Sequence, residues 1–155
     1  MYKILMVRSS FYPEISDMLL NGSRAFLDSH EEEIEYNILD VPGCFEIPAA
    51  INFALDHYDG FIALGCVIRG QTSHYDIVSR ECSRAIMDIT TDLGIPIGFG
   101  ILTTENYEQA LERADPKRKN LGAKAAEACI HMLNIKNVFN EIENNDLSDN
   151  IIHDY

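Results

Sequence analysis

Short apolar runs alternate with amphipathic stretches of helical period along this chain, and the alternation constrains the fold more than any single residue. Lys3 to Val7 reads as a buried strand. Pro13 then opens a helix, since proline suits a first helical turn, and Ile15, Met18, Leu19, Ala25 and Phe26 recur at helical spacing to about Ser29. Ile34 to Leu39 alternates apolar and polar residues and reads as a second strand. After Val41-Pro42-Gly43, a helix over Ile47 to His57 is expected, with Glu46 on its first turn and Pro48 near its start. Phe61 to Leu64 is the third strand. The helix after it runs from about Ser73 to Leu93, with Ile77, Val78, Ala85, Ile86 and Ile89 towards the core and Gly94 as its C-cap. Pro96 to Leu102 is the fourth strand. Thr103 to Asn106 caps a helix ending near Ala114, and a last helix runs from about Asn120 to Ile135, extensible to Ile142.

Strand and helix in strict alternation predict an α/β fold. The sheet is parallel and four-stranded, and helices on both faces make three layers. The length suits one domain, 1–139, with no repeat or linker to suggest a second. The tail, 140–155, carries Glu141, Glu143, Asp146, Asp149 and Asp154 but no lysine or arginine, and is expected to fray or to depend on a partner.

Charge narrows the function classes. The formal net charge is −13, so nucleic acid and anionic membranes repel this chain. No apolar run approaches the ~20 residues of a membrane span. No basic segment followed by an apolar one suggests a secretory signal. Cys44, Cys66, Cys82 and Cys129 are dispersed, with no metal-ligand spacing, and read as reduced thiols of a cytoplasmic protein. Among only 12 basic residues, Arg113, Lys117, Arg118 and Lys119 are crowded together, either as a local anion site or as a solvated loop.

In a parallel sheet, ligands bind outside the carboxyl ends of the strands. The stretch Gly65 to Asp76, GCVIRGQTSHYD, reads as a strand end, a tight turn and a helix N-terminus, which suits an anion. It also carries His74, and histidine is the residue type whose chemistry suits proton transfer near neutral pH. Phe11, Glu46, His74 and Phe99 are expected at one rim. Phe11 can stack on a flat heterocycle or staple its helix. Glu46 can accept from ligand hydroxyls or complement the helix dipole. His74 can carry protons or cap its helix. Arg113 can clamp a phosphate or face helix carbonyls. No nucleophile with an adjacent base stands out, so the residues suit proton transfer and anion binding.

Three stretches carry a resemblance: Val41-Pro42-Gly43-Cys44-Phe45-Glu46-Ile47-Pro48, Gly65 to Asp76, and Phe99-Gly100-Ile101-Leu102-Thr103-Thr104-Glu105-Asn106. It continues through Gln109 to Ala114 and Gly122 to Ala128. The chain resembles the 6,7-dimethyl-8-ribityllumazine synthase family from about residue 3 to 135. The resemblance implies a flavodoxin-like fold and a transferase of riboflavin biosynthesis. The family condenses 5-amino-6-(D-ribitylamino)uracil with 3,4-dihydroxy-2-butanone 4-phosphate and releases phosphate and water, without metal or redox cofactor. By motif, Phe11, Cys44, Phe45, Glu46, Val67, Ile68 and Phe99 match positions that hold the pyrimidine and ribityl chain. Gln71, Thr72 and Arg113 match the phosphate site, and His74 the proton-transfer histidine. Phe99 and Arg113 match residues supplied by a neighbouring subunit, which implies a homo-oligomer with shared sites.

Two departures stand out. Leu121 occupies a position where the family commonly has lysine. The loop Asp115 to Lys119 lacks the glycine-rich pattern of shell-forming members, and the segment ahead of the first strand is short. These features favour a homopentamer or a decamer of pentamers over a sixty-subunit shell. Leu121 also motivates the alternative of a paralogue that binds flavin or lumazine, or acts as a scaffold, with little turnover. A generic nucleotide binder lacks the glycine-rich phosphate motifs.

Overall fold

The computed structural model describes residues 1–31 and 33–145. Four strands, β1 (Tyr2–Ser9), β2 (Ile34–Val41), β3 (Gly60–Ile68) and β4 (Ile97–Thr104), form one parallel sheet in the order β2-β1-β3-β4. The register runs Ser9 opposite Val41, Arg8 opposite Leu64, and Ile68 opposite Thr104. Helices α1 (Pro13–Asp28), α2 (Ile47–Phe53), α3 (His74–Leu93), α4 (Tyr107–Ala114) and α5 (Leu121–Asn145) complete the three-layer α/β/α, flavodoxin-like arrangement.

The layers follow from strand alternation, because successive side chains point to opposite faces. Ile4, Met6, Ile62 and Leu64 pack with Ile15, Leu19, Ala126 and Cys129 on the side of α1 and α5. Leu5, Val7, Phe61 and Ala63 pack with Ile47, Ile51, Val78, Cys82 and Ile86 on the side of α2 and α3. The chain leaves β1 towards β2 on one side and returns to β3 on the other. That reversal opens a crevice between the carboxyl ends of β1 and β3.

The structure corrects several sequence expectations. β3 does not stop at Leu64 but continues to Ile68, because Gly65 to Ile68 stay paired with Ile101 to Thr104. Gly65 is therefore inside the strand. A Cβ there would lie 2.6 Å from Cys44 Sγ and 3.1 Å from Ser9 Cβ, so the close approach of the neighbouring turn excludes a side chain. The helix expected over 47–57 divides into α2 and a 3₁₀ turn at Leu55–His57, and a separate 3₁₀ turn at Cys44–Glu46 precedes it. Glu46 thus sits in the first 3₁₀ turn, whose Glu46 N–H donates to Gly43 O at 3.3 Å.

On α3 the buried line is Val78, Cys82 and Ile86, while Ile77 is 53% exposed rather than core-facing. The two neighbours differ by about 100° around the helix, which suffices to turn Ile77 outward. Gly94, at φ 62°, ends α3 in the left-handed conformation expected of it. Asn106 caps α4 by accepting from the Gln109 N–H at 2.9 Å. α5 continues to Asn145, into the segment expected to fray, and 146–155 lie outside the described residues. Among the described residues, no helix is long and apolar enough to cross a membrane.

Candidate active site

A cavity of about 490 Å³ occupies the crevice between β1 and β3. The turn after β1 supplies Phe11 and Tyr12. The turn after β2 supplies Pro42, Gly43, Cys44, Phe45 and Glu46. The end of β3 and the start of α3 supply Cys66, Val67, Ile68, Gly70, Thr72, His74, Tyr75 and Val78. Three segments distant in sequence therefore meet because their strands are neighbours in the sheet.

Phe11 stands at the mouth of the cavity, 67% exposed, edge-on to Tyr12 at 5.0 Å between ring centroids. It does not staple α1: the position a staple would pack against is Ser16, which is polar and buried. Tyr12 is held in turn against Tyr107 at 6.3 Å, and Tyr107 donates its hydroxyl to Glu14 at 2.6 Å. The exposed ring of Phe11 thus has a firm aromatic base.

The β2 turn is fixed from below. Cys44 is buried, and its carbonyl accepts from the Cys82 thiol at 3.0 Å, which ties the turn to α3. Phe45 and Glu46 remain exposed on the rim. The Glu46 carboxylate folds over Gly43 and makes no capping bond to α2. Burial pushes the Cys44 thiol up to about 11, and those of Cys66 and Cys82 to about 12. These thiols stay protonated at neutral pH and are poor nucleophiles. All four cysteines are free and buried.

Ser73 is the N-cap residue of α3, and His74 begins the helix. His74 is thus not the cap; its backbone N–H donates to Thr72 Oγ1 at 3.3 Å, and its exposed imidazole makes no hydrogen bond among the described residues. A hydroxyl, a free imidazole and a helix N-terminus face the same cavity, an arrangement that can bind an anion and move a proton beside it.

Eight of the expected site residues meet here: Phe11, Cys44, Phe45, Glu46, Val67, Ile68, Thr72 and His74. Gln71 is exposed in the β3–α3 turn but does not line the cavity. Phe99 lies midway along β4, opposite Ala63 and 45% exposed, away from the cavity of its own chain. Arg113 is also elsewhere, in the last turn of α4, donating to Gln109 O at 3.1 Å and 3.8 Å from Glu112. Sequence reasoning missed Tyr12, Cys66, Tyr75 and Val78 as lining residues. Cys66 and Val78 look like plain core positions locally, and only the neighbouring turn gives them a second role.

A profile of the 6,7-dimethyl-8-ribityllumazine synthase family matches residues 1–137. A 6,7-dimethyl-8-ribityllumazine synthase of Erythrobacter litoralis is 50% identical over 141 residues, covering 90% of this chain and 99% of that protein. One of Zymomonas mobilis is 49% identical over 138 residues, covering 88% and 97%. One of Bartonella tribocorum is 48% identical over 141 residues, covering 89% and 92%.

Proposed function

The chain belongs to the 6,7-dimethyl-8-ribityllumazine synthase family, and we infer from that membership how its cavity performs the synthase reaction of riboflavin biosynthesis. It is a transferase that condenses 5-amino-6-(D-ribitylamino)uracil with 3,4-dihydroxy-2-butanone 4-phosphate. The observation that carries the assignment of roles is the meeting of Phe11, Glu46, Val67, Thr72 and His74 around one cavity.

The pyrimidine stacks on Phe11, with the backbone of Val67 and Ile68 along its edge. The Cys44–Glu46 turn receives the ribityl chain, and the Glu46 carboxylate accepts from its hydroxyls. Thr72, just ahead of α3, receives the phosphate, and Gln71 borders the same turn from outside the cavity lining. The substrate amine is the nucleophile, so the protonated thiols are no obstacle. Imine formation, phosphate elimination, tautomerisation, ring closure and dehydration follow, and several of these steps move a proton. The free imidazole of His74 serves them.

Phe99 and Arg113 reach such a site only from a second copy of the chain. Large apolar side chains support a homo-oligomer: Phe53, Ile77, Met87, Leu93 and Phe99 are all exposed in the single chain. A shared site would also explain how a chain of net charge −13 holds an anionic substrate, since each copy lends Arg113 to the next. A homopentamer, or a decamer of pentamers, is the assembly that the loop 115–119 favours. Four free thiols suit the reducing cytoplasm.

The test is to mix the purified protein with both substrates and follow lumazine absorbance and phosphate together. Equal molar appearance of the two supports the reading. Pyrimidine binding without turnover above the spontaneous rate would instead favour a binding paralogue.

A further inference from the structure

The turn that brings Thr72 and His74 to the cavity is held by a residue outside the cavity lining, Arg69. Its backbone N–H donates to Thr104 O at 2.9 Å, one step beyond the last β3–β4 pair. Its Nε donates to Glu105 Oε2 at 2.8 Å, and its Nη1 lies 3.3 Å from both carboxylate oxygens of Asp76. The guanidinium also sits 4.2 Å over the Tyr75 ring. Glu105 is held in turn, because its N–H donates to Gln109 Oε1 at 3.0 Å beside the Asn106 cap. One planar fork therefore joins the end of β3, the start of α4 and the first turn of α3.

We propose that Arg69 is the positioning residue for His74: it grips Tyr75 and Asp76, the two residues that follow the histidine, and sets where the imidazole meets substrate. The inference rests on the proton-transfer role given to His74 above. The guanidinium matches this task because it offers several donors in a fixed plane and stacks on a ring at once. Arg69 and both carboxylates are well exposed, so each ion pair adds little to folding stability. Loss of the fork should therefore appear in the rate, where a small displacement of a catalytic group is costly.

The experiment measures kcat and both KM values for Arg69→Ala, Arg69→Lys and Glu105→Gln. For Arg69→Ala, kcat is expected to fall roughly tenfold while KM for the pyrimidine stays within about twofold. Arg69→Lys keeps the charge without the fork and recovers only part of the loss. Glu105→Gln removes one carboxylate from the rim and still lowers kcat severalfold. An effect of charge on the anionic substrate would act in the opposite sense. The double variant Arg69→Ala/Glu105→Gln is no slower than Arg69→Ala alone, as expected of one shared interaction. Full kcat in Arg69→Ala, or unchanged or faster turnover in Glu105→Gln, would overturn the inference. Amide hydrogen exchange at Tyr75 to Val78 gives a readout independent of turnover. It should quicken about tenfold in Arg69→Ala with α1 unaffected. Unchanged exchange also sinks the positioning role, whereas an inactive wild type would sink only the proposed reaction.

Discussion

The thiol of Cys82, in the middle of α3, donates a hydrogen bond to the carbonyl oxygen of Cys44 at 3.0 Å, although 38 residues separate them. This contact fixes the height of the turn that carries Phe45 and Glu46 against the helix that begins at His74. Replacing Cys82 by alanine removes the donor and leaves a small void. About 1 kcal/mol of stability should be lost, with a severalfold rise in KM for the pyrimidine. Cys82→Ser, which keeps a donor, should restore much of the affinity. Urea unfolding and steady-state kinetics on the two variants check this.

His74→Ala should reduce kcat on the order of 10²-fold, the usual contribution of a positioned acid–base group, with KM for both substrates nearly unchanged. The imidazole makes no hydrogen bond among the described residues, so its removal costs the fold little. Wild-type turnover in this variant would reduce His74 to a surface residue at a helix start.

Arg113→Ala should raise KM for the butanone phosphate by about tenfold or more, and leave the pyrimidine nearly unaffected, because a bidentate charge pair is lost at one substrate only. If the site is shared between copies, inactive His74→Ala and weakened Arg113→Ala chains refolded together should recover part of the activity. Some mixed sites then contain neither substitution. No recovery on mixing would mean that Arg113 does not complete a neighbouring copy's site.

Gly65→Ala should destabilise the protein by about 1 to 3 kcal/mol, the usual cost of forcing atoms into a packed interior. The added carbon would meet Cys44 Sγ at 2.6 Å, so the β2 turn must shift, and substrate affinity should fall with stability. Thermal melts with and without the pyrimidine separate the two effects.

The buried thiols make stability fall at high pH. The unfolded chain releases thiol protons near the ordinary value of 9.0, whereas folded Cys44 holds its proton to about 11 and Cys66, Cys82 and Cys129 to about 12. Above pH 9 the folded state therefore binds more protons than the unfolded state, and unfolding free energy decreases as pH rises through that window. Each thiol contributes a slope of at most about 1.4 kcal/mol per pH unit. Urea melts at successive pH values should show the decline. Replacement of Cys129, which is far from the cavity, by alanine should make it shallower.

Most elements were legible because they are written in local periodicity. The helix from Pro13, the caps at Asn106 and Gly94, and the four strands all follow from residue spacing and capping chemistry. Phe11, Glu46 and His74 were legible as site candidates because strand ends in a parallel sheet converge on one edge, an argument that also put Phe99 there, whereas Thr72 was named through the family motif. Tyr12 and Tyr75 were missed because an aromatic at a helix start looks like ordinary packing until the turn opposite it is known.

The order of apolar runs by itself determined a four-stranded parallel sheet between two helical layers, and the turn motifs pointed to the edge that carries the cavity. Only the tertiary structure decided how far β3 runs, since Gly65, which interrupts the apolar run, is held in the strand together with Cys66 to Ile68 by the ladder to Ile101–Thr104. It alone placed Phe99 and Arg113 away from the cavity and set Arg69 on Glu105, 36 residues further along. Such relations depend on which strands are neighbours, and a hydrogen bond between distant residues leaves no periodic trace in the chain.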